Sequence, residues 1–147
     1  MLDNLLDFSG KPRLPVLVQT EAAECGLACL AMIASYHGHR TDLNALRRQH
    51  PASLKGVTVA GLIHVASQLG FASRPVRLEL NQLRHLRLPA ILHWDMNHFV
   101  VLREATSTGL VVHDPATGRK HLPLSEASKH LTGVALELSP APGFVPK

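Results

Sequence analysis

The stretch that most restricts what this chain can fold into is Gly26-Leu-Ala-Cys-Leu-Ala-Met-Ile-Ala34, nine residues without a charged or amide side chain. Leucine, alanine and methionine are strong helix formers and Gly38 supplies a stop, so the pattern predicts a helix from about Thr20 to that glycine. A helix that is apolar nearly all round has no face to offer water and must be buried. It is too short to cross a bilayer, which takes about 18 apolar residues, and so is Val57-Thr-Val-Ala-Gly-Leu-Ile63. The remaining sequence therefore has to wrap this helix, and 147 residues suffice for one domain that does so.

Around that helix the chain divides into two halves. Leu14 to Gln19 is extended, because Pro15 blocks helix and Val16 and Val18 favour open backbone. Two more helices are expected at about Asp42–Gln49 and Thr58–Leu69, the second ended by Gly70. Beyond it, Phe71–Leu78 reads as a strand and Asn81–Leu86 as a short helical turn. Five apolar runs follow, Ala90–Trp94, His98–Arg103, Leu110–His113, His121–Leu124 and Val134–Leu138, separated by turn-forming sets such as Asp95-Met-Asn97 and Pro115-Ala-Thr-Gly118. One further helical turn is expected between Ser125 and His130. Helices first and an antiparallel sheet afterwards is the α+β arrangement. Residues 1–13 read as an N-terminal extension, 14–139 as the domain, and 140–147, with Pro140, Pro142 and Pro146, as a linker to something that follows.

Composition removes several functions. The formal charge is +4, but the basic residues are interleaved with carboxylates and aromatics make up only 4% of the chain, which argues against a nucleic-acid stacking platform. The local excess of Arg74, Arg77, Arg84 and Arg87, balanced only by Glu79, reads as a solvated face. Two cysteines separated by three residues make no disulfide framework and fit a reducing compartment. With Asp3 and Asp7 in place of a basic lead-in, the N-terminus does not read as a secretory signal.

Chemistry concentrates in Gln19-Thr-Glu-Ala-Ala-Glu-Cys25-Gly26. A cysteine in the first helical turn sits where unpaired N–H groups and the macrodipole favour an anion, and the thiolate is the nucleophile. Gly26 keeps the neighbouring backbone uncovered, and Gln19 is placed to donate to an oxygen bound near the sulfur. Glu21 and Glu24 work against a thiolate there, so a basic partner is required. Among ten histidines, position selects His98, which opens a strand just after a tight turn. Asp114 closes the next strand. If Glu104 faces Leu110 in that hairpin, Asp114 faces Val100 and His98 is its diagonal neighbour, with Cβ atoms roughly 7 Å apart. A one-residue slip would send the two to opposite faces. Cysteine, histidine and an orienting acid are the parts of a thiol hydrolase. Trp94, Met96 and Asn97, beside the histidine, are candidate walls of a substrate slot. Cys29, one turn deeper, reads as a packed thiol. No C-x2-C or H-E-x-x-H spacing is present, so no metal is expected despite the histidines.

Three stretches, Gln19-x5-Cys25-Gly26, Asn97-His98-Phe99-Val100-Val101 and His113-Asp114-Pro115-Ala116-x-Gly118, resemble in order and wording the C39 cysteine peptidases. These are the N-terminal domains of bacterial ABC exporters for bacteriocin-type peptides, and Gln19 to Ala34 is especially similar to the colicin V and microcin type. The resemblance implies a papain-like α+β fold and cleavage of a leader peptide after a Gly-Gly or Gly-Ala pair, coupled to export. It implies Cys25 as nucleophile, His98 as base and then acid, Asp114 as orienter and Gln19 as oxyanion donor. It implies no cofactor for this domain, with ATP only at a nucleotide-binding domain outside the chain. The implied partners are the leader peptide and the exporter's transmembrane and nucleotide-binding domains, at the cytoplasmic side of the inner membrane. Leaders of this type are amphipathic helices, which an apolar groove would receive. The competing expectations are a non-catalytic docking domain for the export substrate, and another thiol enzyme such as an acyltransferase or transglutaminase.

Overall fold

A computed structural model describes residues 13–16, 24–39, 41, 43–49, 58–142 and 144. Three helices come first: α1 (Cys25–Tyr36), α2 (Leu43–Gln49) and α3 (Val59–Gln68). Then follow β1 (Phe71–Arg77), a 3-10 turn (Leu80–His85), β2 (Ala90–Trp94), β3 (His98–Ala105), β4 (Gly109–Asp114), β5 (Gly118–Pro123), the short α4 (Leu124–Ala127) and β6 (Leu131–Pro140). The first turn of the expected Thr20–Gly38 helix, residues 20–23, lies outside the described residues. From Cys25 onward the helix follows the pattern. Its residues Cys25 to Ala34 are all buried, as an apolar circumference demands.

The strands form one antiparallel sheet in the order β1-β6-β2-β3-β4-β5. Both of its faces are covered. Ile91, Phe99, Val101, Leu136 and Leu138 pack beneath the helices together with Leu27, Leu30 and Ile33 of α1. Leu92, Trp94, Val100, Leu102, Leu110 and Val112 form a second core closed by Leu83 of the 3-10 turn and Ala127 of α4. Two covered faces explain why the strands read as short apolar runs instead of a strict apolar–polar alternation. Each fully buried leucine or isoleucine contributes about 1.5–3 kcal/mol relative to exposure. Thr58 caps α3 by accepting from the Gly61 N–H at 3.0 Å.

Three expectations need correction. The β3–β4 hairpin pairs Ala105, not Glu104, with Leu110, and Glu104 with Val111. One extra residue, Arg103, bulges from β3, so that Val101 again faces His113. The register at the far end of the hairpin is thus the one that sets Asp114 opposite Val100. The expected linker, 140–147, begins inside the fold. Pro140 pairs with Phe71 at the end of β6, the Ala141 N–H donates to the Gly70 carbonyl at 2.9 Å, and the Phe144 ring lies 4.9 Å from that of Phe71. Glu79 is not the sole acid among the arginines either. Glu137, brought over by β6, pairs with Arg74 at 3.3 Å and accepts from the Arg87 N–H at 2.7 Å. Arg74, Arg77, Arg84 and Arg87 are all exposed, the solvated face that was expected.

Candidate active site

The start of β3, the end of β4 and the first turn of α1 meet at one end of the sheet. His98 is the first residue of β3 and Asp114 the last of β4. The His98 Nε2–H donates to Asp114 Oδ1 at 2.7 Å. A carboxylate only accepts, so this bond fixes the proton on Nε2 and leaves Nδ1 as the ring nitrogen free for a second partner. Cys25, the first residue of α1, lies close enough to the imidazole to raise its pKa. Cysteine, histidine and aspartate, 73 and 16 residues apart along the chain, are therefore brought to the same end of the sheet, with His98 and Asp114 hydrogen-bonded there.

Burial and charge tune the line in a definite direction. Burial penalises a protonated His98, but the hydrogen bond to Asp114 and the proximity of Cys25 outweigh it and raise the imidazole to about 9. Asp114 is 6% exposed, and burial alone would raise its carboxyl. The bonds from His98 and from the Ala116 N–H, with the nearby positive charge of His98 and Lys120, hold it below the usual aspartate range. The Ala116 bond, 2.8 Å to the same Oδ1, makes Asp114 a turn residue as well as the histidine's partner. Cys29 is fully buried, and burial, then the proximity of Cys25 and Asp114, pushes its thiol well up.

The acids that threatened a thiolate are only partly accounted for by sequence. Glu24, fully buried directly before Cys25, makes no capping hydrogen bond to α1; its Oε1 lies 2.5 Å from Arg47 Nη2 on α2. The ion pair turns the negative charge toward a guanidinium and away from use as a helix cap. Glu21 and Gln19 lie outside the described residues.

The candidate slot residues separate. Gly26 is buried in the first turn of α1 beside Cys25. Trp94 does not line an open slot: it is 4% exposed, belongs to the second core, and stacks on the His130 ring with centroids 5.3 Å apart and planes at 8°. Asn97 is exposed, and Met96 is 76% exposed in the turn that leads into His98. That turn holds two non-glycine residues with positive φ, Asp95 at 53° and Met96 at 66°. Such a conformation costs of order 1–3 kcal/mol per residue and persists only where the surroundings impose it. Two histidines impose it here. The His93 Nε2–H donates to the Met96 carbonyl at 2.8 Å, and His130 holds Asp95 through Nδ1 to Oδ1 at 2.8 Å and through its carbonyl to the Asp95 N–H at 2.8 Å. Nothing local in the sequence points to the His130 half of this clamp, since His130 is 35 residues from Asp95. His113, beside Asp114, accounts for another histidine: its Nδ1–H donates to the Pro15 carbonyl at 2.9 Å and ties the N-terminal segment to β4.

Among the described residues no three histidine, cysteine, aspartate or glutamate side chains gather as a metal cage, and no helix is long and apolar enough to cross a membrane.

Comparison with known proteins shows the family and the fold. The family model described as the peptidase C39 family matches residues 13–143. The colicin V secretion/processing ATP-binding protein of Escherichia coli is 50% identical over 141 residues, covering 96% of this chain and 20% of its own length. A probable microcin-H47 secretion/processing ATP-binding protein of the same species is 48% identical, covering 97% of this chain and again 20% of its own. The chain thus spans about a fifth of the length of the curated relatives it matches. Among solved structures, a double glycine motif protease from an AMS/PCAT transporter, in complex with the leader peptide, superposes with a TM-score of 0.81 at 32% identity over 91% of this chain and 96% of that one. The peptidase domain of a Streptococcus bi-functional ABC transporter shares the fold, with a TM-score of 0.77 at 24% identity, over 87% and 99% of the two chains.

Proposed function

Because this chain belongs to the peptidase C39 family, we propose that it is a cysteine endopeptidase using Cys25, His98 and Asp114 to remove a leader peptide after a double-glycine pair. The observation that carries this is the 2.7 Å hydrogen bond from His98 to Asp114 at the sheet end where Cys25, at the head of α1, lies close enough to act on the same imidazole. With the proton resting on His98, Sγ attacks the carbonyl carbon of the residue before the scissile bond. The oxyanion is held by N–H groups at the head of α1, which Glu24 leaves uncapped, and by the Gln19 amide. The imidazolium then gives its proton to the departing amine, leaving a thioester on Cys25. Water, deprotonated by His98, attacks the thioester and frees the leader as a carboxylate. Asp114 keeps the ring in the tautomer and orientation both halves need. Residues without side chains before the cut let the slot stay narrow enough to exclude larger ones by overlap.

The relatives' printed roles in secretion and processing support placing this domain in an exporter of bacteriocin-type peptides, at the cytoplasmic side of the inner membrane. In that assembly the sequence past Phe144 leads to transmembrane and nucleotide-binding domains, and ATP is used there. The test is to incubate the domain with a leader–Gly-Gly–cargo peptide and an added amine. Two product masses summing to substrate plus water, absent with Cys25→Ala while leader binding persists, support a peptidase. Binding without cleavage means a docking domain, and an amine adduct means a transferase.

A further inference from the structure

The geometry points to Met96 as a specificity-determining residue, seating an apolar side chain of the peptide next to its glycine pair. The inference rests on the cleavage reading above and deepens it. Among the described residues two large apolar side chains are exposed, Met96 at 76% and Val16 at 42%. Both lie at the end of the sheet that carries the catalytic pair: Met96 two residues before His98, and Val16 against Gly118, which pairs with Asp114. At Met96 the backbone is left-handed, where glycine or asparagine would be the ordinary occupant. The Met96 carbonyl is anchored by His93, and the preceding Asp95 by His130, which also stacks on the buried Trp94. The turn is therefore held in place beneath an apolar side chain that is 76% exposed. Turn chemistry does not call for methionine at that position, and packing does not use it. A contact outside the chain does. An unbranched thioether adapts to differently shaped apolar partners, which suits a surface meeting a peptide.

Position 96 separates contact from conformation, because glycine fits its φ better than methionine does. In the native chain and in Met96→Gly, Met96→Lys and Met96→Leu, kcat and KM are measured on leader–Gly-Gly–cargo peptides carrying leucine, glutamate or lysine at the positions flanking the glycine pair. Binding of the same peptides is measured on a Cys25→Ala background, so that the outcome does not depend on cleavage. Expected for Met96→Gly is an unchanged or raised melting temperature, a KM and Kd raised about fivefold or more for the leucine peptide, and kcat within twofold. Met96→Leu restores the native values, and Met96→Lys shifts preference to the glutamate peptide. Equal affinity of native and Met96→Gly for every peptide overturns the inference, and so does a uniform loss of kcat with KM unmoved. Failure of the native chain to cleave any peptide would count against the peptidase reading alone, since the binding series still decides Met96.

Discussion

At the scale of single residues, the site is governed by where one proton rests. His98 is raised to about 9 by Asp114 and Cys25 against the opposing effect of burial. The imidazolium therefore persists through neutral pH and is lost as pH rises through about 9, so kcat is expected to fall on an alkaline limb near that value. Asp114→Asn removes one cause of the upward shift, so its limb should lie at lower pH, with kcat down about 10–100-fold against at least about 10³-fold for His98→Ala. A pH–rate profile of the three proteins checks both, and an unmoved limb in Asp114→Asn would contradict the orienting role. The same shift means that His98 contributes stability fully below about pH 6.5, and loses it toward 9. The two cysteines differ as sharply. Cys29 has no exposure and a thiol raised by burial, whereas Cys25 reaches the imidazolium. Iodoacetamide should label Cys25 first and Cys29 only on unfolding, as peptide mapping would show; the reverse order would identify the wrong sulfur.

Among elements, the head of α1 is the one whose stability and chemistry are tied together. Glu24 is buried with its charge against Arg47 of α2. Arg47→Met removes the guanidinium from that buried carboxylate, and should cost about 3 kcal/mol, the low end for a broken buried pair because Arg47 keeps 30% exposure. By thermal unfolding this amounts to a melting temperature lower by roughly 10 °C. Glu24→Gln combined with Arg47→Met should recover most of the loss, and a double variant as unstable as the single one would show that the guanidinium acts by packing. The β3–β4 hairpin shows how an element can be legible at one end and not at the other. Apolar spacing located both strands, and the need to bury Val100, Leu102, Leu110 and Val112 on one face fixed the register near Asp114. The Arg103 bulge adds one residue with no composition signal, so the Glu104–Leu110 pairing read from the sequence was one residue out.

For the whole molecule, the most consequential long-range placement is that of β6 between β1 and β2. It carries the chain end back to the C-terminal end of α1, where Phe144 packs with Phe71 and lies 6.0 Å from the His39 ring. Phe144→Ala should therefore cost about 2 kcal/mol, less than a fully buried phenylalanine, and lower the melting temperature by several degrees. An unchanged melting temperature would return residues 140–147 to the status of a free linker. The sequence by itself determined the α+β order, the burial of α1, the turn at each strand end and the residues able to do thiol chemistry, because these depend on local preference and on the period of apolar positions. Tertiary structure alone decided that Glu24 is neutralised by Arg47, that His93 and His130 clamp the turn under Met96, that Trp94 is core and not cleft, and that Phe144 belongs to the fold. Apart from the bond of His93 to Met96, each of those pairs residues far apart in sequence, and such a partner is chosen by which surfaces the packed sheet and helices bring together, a choice that no window along the chain contains.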